Sequence, residues 1–156
     1  MQQQQKKQQQ WLPLWKTISA RQTNVKMFTF SKSERLSSKK DITLLYTTGQ
    51  SKSFYPLKIF WREHTFESEH PARVLITVPK RSFKKAVDRN LLKRRIREVY
   101  RLNKNPLYTS LTQKEKKIDI LIMFVGKEKV LLPEIEKALK KGLDMLGTIE
   151  LKKPIS

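Results

Sequence analysis

Apolar residues occur at two different spacings along this chain, and each spacing predicts one kind of element. Apolar positions three and four residues apart predict a first helix over 38–48, with Gly49 as a left-handed stop. Alternation at every second position predicts strands over 57–61 and 73–78. The continuous apolar run 118–125 predicts a further, central strand.

Two more helices complete the predicted order. In the second half of 80–101, four apolar residues fall within about 80° of one another on a helix; they are Leu92, Ile96, Val99 and Tyr100. The last helix begins near Pro133 and has a second apolar face, formed by Ile135, Leu139, Leu143 and Leu146. The order α, β, β, α, β, α predicts a sheet with helices packed on it, an α+β or α/β sandwich.

The two ends of the chain differ in composition from its centre. Residues 2–10 are glutamine apart from two lysines, and such a tract has too few apolar side chains to form a core. We therefore expect a disordered extension over 1–26, one domain over 27–150 and a tail over 151–156. Met27 stands where the globular composition begins, and we expect it to be the natural start, which N-terminal mass spectrometry of the cellular protein would test.

A strong positive charge restricts the possible partners. Lysine and arginine total 34 residues against 14 acidic ones, which gives a formal net charge of +20. A domain with this charge attracts polyanions, chiefly nucleic acid or an acidic membrane surface. Because no apolar run approaches the ~20 residues that cross a bilayer, we expect no membrane segment and a cytoplasmic protein.

The residue types present also limit the chemistry. There is no cysteine, which excludes disulfides, thiolate zinc ligands and a cysteine nucleophile. His64 and His70 are the only histidines, and we expect them to be solvated loop residues rather than metal ligands. The acidic residues are scattered, with no spacing that pairs them for metal-assisted cleavage of a phosphodiester. We predict no metal site and no catalytic residue on the protein.

Segment 80–101 concentrates the positive charge, with ten basic and two acidic residues. On a helix, four basic residues and one asparagine fall in an arc of about 100° beside the apolar face. We call this arc the cationic stripe; it consists of Asn90, Lys93, Arg94, Arg97 and Arg101. Like charges at i and i+4 cost a few tenths of a kcal/mol each unless a polyanion neutralises them. Basic residues before the stripe extend the positive surface, namely Lys80, Arg81, Lys84, Lys85 and Arg89. A solvated amphipathic helix is the alternative interpretation.

The same segment carries a motif. Val78-Pro79-Lys80-Arg81 is followed by Ala86-Val87-Asp88-Arg89-Asn90-Leu91-Leu92-Lys93-Arg94 and by Arg97-Glu98. This pattern resembles the signature of the ribonuclease P protein component, and the resemblance extends from about Phe30 to Leu146. Members of that family help a catalytic RNA to remove the 5′ leader from precursor tRNA.

The resemblance implies a fold and site residues. The fold would be an α+β, two-layer sandwich in which a mixed sheet of about four strands and three helices contains a βαβ crossover like that of ribosomal proteins. The catalytic RNA would contact the matching residues, which are Asn90 and the basic residues Lys80, Arg81, Arg89, Lys93, Arg94 and Arg97. The leader would lie in a cleft between the first helix and the sheet, at Ile42, Tyr46 and Phe60. Tyr46 and Phe60 could stack on bases or pack in the core, and their residue types leave both open.

The resemblance also implies the partners, which are the catalytic RNA of ribonuclease P and precursor tRNA with its leader. Mg²⁺ would be held mainly by the RNA, and the protein would be a monomer within the particle. Leu91 departs from the family, which usually has a second arginine there, so this chain lacks that cation or takes it from Arg95. The alternatives are a ribosomal protein or RNA chaperone, and a stand-alone nuclease or DNA-binding protein.

Overall fold

A computed structural model describes residues 30–148 of the 156. After a short 3-10 turn at Lys32–Glu34, the elements in chain order are α1 (Lys39–Thr48), β1 (Gln50–Phe54), β2 (Leu57–Glu63), β3 (Ala72–Thr77), α2 (Ala86–Asn103), α3 (Asn105–Gln113), β4 (Ile118–Phe124) and α4 (Leu132–Thr148). The predicted extension 1–26 and tail 151–156 lie outside the described residues. Among the helices of residues 30–148, none is both long and apolar enough to cross a membrane.

The four strands form one mixed sheet in the order β1-β2-β4-β3. β2 pairs antiparallel with β1 and with β4, whereas β3 runs parallel to β4. The connection between the two parallel strands contains α2 and α3. β1 was not predicted from apolar alternation because Gln50, Ser51, Lys52 and Ser53 are all polar and exposed. The mixed four-stranded sheet implied by the family resemblance is confirmed.

The two faces of the sheet are packed differently, because successive side chains of a strand point to opposite faces. The closed face, which includes Ile59, Ile76 and Ile122, buries the main core beneath α2 and α4, and α3 packs against α4. The open face is covered, within the described residues, by α1 over a small core. That core consists of Leu36, Leu45, Phe60 and Leu121.

The α+β class is confirmed, with two differences of detail. A fourth helix, α3, follows α2, has a proline in its first turn and buries Leu107 and Leu111. Two apolar anchors in nine residues make too short a pattern to distinguish a helix from a loop. The two-layer description is incomplete, because α1 forms a partial third layer on the open face.

Gly49 ends α1 by a mechanism other than the predicted left-handed stop. Its φ is −72° and its ψ is 163°, an extended conformation that any residue adopts. A Cβ atom at this position would lie 2.3 Å from the carbonyl oxygen of Leu45 and 3.0 Å from that of Trp61. Glycine is therefore required here by the close approach of backbone from α1 and β2, and the expectation of a positive φ was wrong.

The N-terminal segment runs along the outer edge of β3 and connects the two faces. Arg35 forms a parallel bridge with Val74, and the Leu36 N–H donates to the Val74 carbonyl at 3.0 Å. This contact places Leu36 in the small core of the open face. The segment thereby pairs with an edge that would otherwise expose unpaired backbone groups.

A buried carboxylate anchors this segment to the helices of the closed face. Glu34 is fully buried and accepts hydrogen bonds from the Lys104 ammonium group, the Tyr108 hydroxyl at 2.7 Å and the Ser31 N–H at 2.7 Å. Burial opposes ionisation of Glu34, but these hydrogen bonds outweigh it and hold the pKa of the carboxyl below its usual value. The buried charge is therefore paired, as a buried charge must be if the fold is to be stable.

Candidate nucleic-acid interface

The cationic stripe lies on α2 as the helical periodicity predicts. Leu92, Ile96, Val99 and Tyr100 are all buried against the closed face of the sheet and α4. Arg94 and Arg97 are exposed and Lys93 is half-buried. Within the described part of the chain, none of these three cations has a carboxylate within 4.0 Å. This absence of neutralising partners distinguishes the stripe from an ordinary solvated helix, in which opposite charges alternate.

The stripe loses part of its charge at its C-terminal end. The Arg101 guanidinium lies 2.5 Å from the Glu98 carboxylate, one turn away on α2. The hydrogen bond from Arg101 holds the pKa of Glu98 below its usual value. Arg101 therefore presents an ion pair rather than a single cation, and its role as an RNA contact remains a prediction.

The connection from β3 to α2 is held in place by buried apolar residues. Val78 and Phe83 are buried, and the ring of Phe83 meets that of Phe124 edge-on at 5.5 Å. The N–H groups of Ser82 and Phe83 both donate to the Pro79 carbonyl and close a turn. The four basic side chains of the connection, Lys80, Arg81, Lys84 and Lys85, are all exposed. A fixed backbone thus displays these cations to solvent.

Arg89 contributes to that fixed backbone. Its Nη1 donates to the carbonyl oxygens of Phe83 at 2.7 Å and Lys84 at 2.9 Å. The guanidinium is thus hydrogen-bonded to the connection that leads into α2. Any RNA contact through Arg89, which the family resemblance implies, has to use the nitrogen atoms that these two bonds leave over.

Leu91 lies on a side of α2 that faces the loop before α4. Asp88 and Arg95 flank it at i−3 and i+4, and both hold that loop: Asp88 pairs with Lys129 at 2.7 Å, and Arg95 donates to the Val130 carbonyl at 2.9 Å. Arg95 is half-buried and hydrogen-bonded in this position. Because Arg95 is committed to the loop, it is not placed to supply the cation that Leu91 replaces.

A groove lies on the open face between α1 and the ends of β3 and β4. It has a volume of about 440 Å³. Its lining is mostly apolar and consists of Ile42, Thr43, Tyr46, Thr47, Leu75, Thr77, Val78, Pro79, Leu121 and Met123. We call it the α1 groove. Pro79 belongs to this lining, and the exposed Lys80 and Arg81 follow it directly along the chain.

The structure places the three predicted cleft residues differently. Ile42 and Tyr46 line the α1 groove, and Tyr46 is 58% exposed to solvent. Phe60 is 7% exposed and lies beneath Tyr46, with ring centroids 5.3 Å apart. Of the two aromatic residues, Tyr46 is thus available to stack on a base and Phe60 packs in the core of the open face. Leader binding by these residues remains a prediction.

A partly buried charged cluster that the sequence did not predict lies on the open face near the start of α1. The bidentate Arg73–Asp119 pair, with Nε to Oδ1 at 2.9 Å and Nη2 to Oδ2 at 3.0 Å, is its centre. Arg73 Nη2 also donates to Asp41 at 3.3 Å and lies 3.0 Å from His64 Nδ1. Asp41 and Asp119 are 78 residues apart in sequence, which is why no spacing revealed them.

Each of the two histidines has a polar partner, and only His64 belongs to this cluster. His64 Nδ1 lies 2.9 Å from Asp119, and His70 Nε2 lies 3.2 Å from the Ser31 hydroxyl. Both rings are half-buried, so the expectation of solvated loop residues was wrong; the long loop after β2 folds back onto the protein. The ligand-type atoms of Asp41, His64 and Asp119 lie within 4.8 Å of one another. The Arg73 guanidinium already contacts all three side chains, so they fit a metal ion poorly.

The fold and this surface define a class of protein: an α+β domain with exposed cations along one helix and a mostly apolar groove beside another. Comparison with known proteins agrees. A family profile described as Ribonuclease P matches residues 30–147. The ribonuclease P protein component of Porphyromonas gingivalis is 36% identical over 124 residues, which cover 78% of this chain and 88% of that protein.

Solved structures give the same result. The RNase P protein from Thermotoga maritima is 28% identical with a TM-score of 0.57, over 75% of this chain and 98% of that chain. The Staphylococcus aureus RNase P protein, at 22% identity and a TM-score of 0.58 over 73% of this chain and 95% of that chain, supports the fold. The chain belongs to the ribonuclease P protein family. As the protein subunit of that enzyme, it assists the RNA in processing the 5′ end of tRNA.

Proposed function

We propose that the chain binds the catalytic RNA of ribonuclease P through the cationic stripe and the basic connection, and the 5′ leader of precursor tRNA through the α1 groove. The proposal rests on one observation: the groove, the basic connection and the cationic stripe follow one another along the chain. Pro79 lines the groove, the exposed Lys80 and Arg81 follow it along the chain, and the connection leads into a stripe whose exposed arginines have no carboxylate partner in the described residues. One surface can therefore hold a backbone and unpaired bases together.

We place the cleavage chemistry on the RNA and its Mg²⁺. In residues 30–148, the one group of acidic and histidine side chains close enough to share a metal ion is Asp41, His64 and Asp119. Asp119 is fully buried, and Arg73 already provides the positive charge that a metal would bring. The protein would instead neutralise phosphates, raise the affinity for substrate and Mg²⁺, and grip the leader. It would act as a monomer within a cytoplasmic particle.

Reconstitution tests this proposal. The protein is mixed with a bacterial ribonuclease P RNA and precursor tRNA at low Mg²⁺, where added positive charge should matter most. Stimulated cleavage at the 5′ end of the mature tRNA is expected, and protein alone should cut nothing. Absence of stimulation, or cleavage by the purified protein without RNA, would contradict the proposal.

The salt dependence of RNA binding tests the stripe itself. Log affinity falls as log salt rises. Each phosphate that the protein neutralises makes this decrease steeper by about 0.9 in a duplex and by about 0.7 in a single strand. Replacing Lys93 and Arg94 together with alanine should reduce the steepness of this decrease by about 1–2. Lys137→Ala/Lys141→Ala removes two exposed lysines from α4 and is the matched control. Equal slopes for the two double variants would place the RNA elsewhere.

A further inference from the structure

Lys58 lies on the open face of the sheet, beside the residues of β3 and β4 that form the floor of the α1 groove. Lys58 of β2 pairs with Met123 of β4, and Met123 pairs with Thr77 of β3. Met123 and Thr77 both line the groove. Phe60, two residues further along β2, packs beneath α1, so the alternation of the strand puts Lys58 on the same face. Lys58 therefore continues the floor of the groove toward β1.

The charge of Lys58 is held beside the aromatic pair at this end of the groove. Its Nζ lies 5.2 Å from the ring centroid of Phe60, and that ring lies 5.3 Å from the ring of Tyr46. No carboxylate among residues 30–148 lies within 4.0 Å of the Lys58 ammonium group. A cation without an acidic partner thus stands next to the exposed tyrosine, on the side of the groove away from Lys80.

A cation thus flanks the α1 groove on its β2 side, and Lys80 follows the lining residue Pro79 on its β3 side. Two strand spacings, about 10 Å, separate Lys58 from Thr77 across the sheet, and Lys80 follows three residues after Thr77. Sites for single-stranded nucleic acid combine stacking surfaces for the bases with cations that follow the backbone. We infer that Lys58 binds a phosphate of the leader at the end of the groove opposite Lys80. This inference rests on the proposed leader function of the groove.

The competing explanation is that Lys58 is an ordinary surface lysine lying over an aromatic ring. The chain provides a matched control in Lys52 of β1. The Nζ of Lys52 lies 5.7 Å from the ring of Phe54, so it makes the same kind of contact. Lys52 pairs with Ile59, whose side chain packs in the main core, so it belongs to the closed face and not to the groove. The two lysines have the same charge and the same type of partner but lie on opposite faces.

The experiment measures binding of precursor tRNA to the reconstituted holoenzyme. Two precursors are compared, one with a leader of about ten nucleotides, within the usual range for a single-strand site, and one with a single-nucleotide leader. Lys58→Ala should weaken binding of the long-leader precursor about threefold or more and lower its salt slope by about 0.7. Binding of the single-nucleotide precursor should not change. Lys58→Arg should keep wild-type affinity, and Lys52→Ala should behave as wild type.

Two results would overturn the inference: equal behaviour of Lys58→Ala and Lys52→Ala, or an equal loss for both precursors. The ratio of the two affinities is taken within one protein preparation, so a partly unfolded variant does not affect it. Lys58→Gln gives a second neutral variant. If wild-type protein neither stimulates cleavage nor favours the long leader, the proposed function itself fails; if it does both and Lys58→Ala keeps the wild-type ratio, the inference about Lys58 fails alone.

Discussion

The closed and open faces of the sheet use the same strands for different purposes. In β4, Ile122 is fully buried in the main core, whereas its neighbour Met123 is half-buried and lines the α1 groove. Helices α2 and α4 cover the closed face, with α3 behind them, and α1 alone covers the open face in the described part of the chain. The difference teaches that incomplete packing produces the groove. Most of the buried apolar residues of the domain lie on the closed face.

The largest expected effect comes from breaking the contact that connects the two faces. Glu34→Gln removes the negative charge that neutralises the buried Lys104 ammonium group. Removing one partner of a buried ion pair costs about 3–5 kcal/mol. Urea unfolding at pH 7 should show a loss of this size, and a loss below about 1 kcal/mol, within the range of surface pairs, would show that the pair does not hold the segment.

Acid unfolding provides a second measurement on the same residue. The pKa of Glu34 in the folded protein lies below its ordinary value of 4.5. Its contribution to stability is therefore complete above about pH 4.5 and is lost as the pH falls through the folded pKa. The wild-type free energy of unfolding should fall more steeply than that of Glu34→Gln in this window. Parallel curves would contradict the assignment.

The next effect compares neighbours on opposite faces. Ile122→Ala opens a cavity in the closed-face core and should cost about 2–5 kcal/mol of unfolding free energy. Met123→Ala removes a side chain that is already partly in solvent, so its cost should be well below that of Ile122→Ala. Denaturant titration of both variants tests the comparison. Equal losses would mean that the open face is as tightly packed as the closed one.

A smaller effect on stability, but a clear one on binding, is expected at Tyr46. Because 58% of the residue is exposed, Tyr46→Ala should change the free energy of unfolding little. Loss of one stacked base should weaken binding of precursor tRNA by about 1–3 kcal/mol, with no effect on mature tRNA. Tyr46→Phe keeps the ring and is the control. Equal weakening for precursor and mature tRNA would show that Tyr46 does not contact the leader.

Several features of the site were predictable from sequence, because they depend on neighbours along the chain. The buried face of α2 follows from helical periodicity, and the adjoining cationic stripe follows from the same geometry. Exposure of Lys80 and Arg81 follows from their position after the last residues of β3. The hydrogen bonds of Arg89 and Arg95 to backbone carbonyls were not predictable, since a charge pattern does not state which carbonyl lies nearby.

Other features arise from residues that are far apart in sequence. The Arg73 cluster joins α1, the loop after β2, β3 and β4, and no spacing in the chain indicates it. The edge strand β1 is polar because it has little to bury, so it carries no apolar signal. From the sequence, Tyr46 and Phe60 are equally able to stack on a base. In the structure, the ring of Tyr46 covers that of Phe60. Their difference depends on where α1 crosses the sheet.

The amino-acid sequence by itself determined the secondary elements with clear apolar periods, the overall charge and the helix on which that charge is concentrated. These properties are local, since each depends on residues within a few turns or one strand. Only the tertiary structure decided which face of the sheet stayed open, which cations remained without partners and which aromatic ring reached solvent. Those outcomes depend on packing between distant segments, where burial and pairing are settled by shape and not by order along the chain.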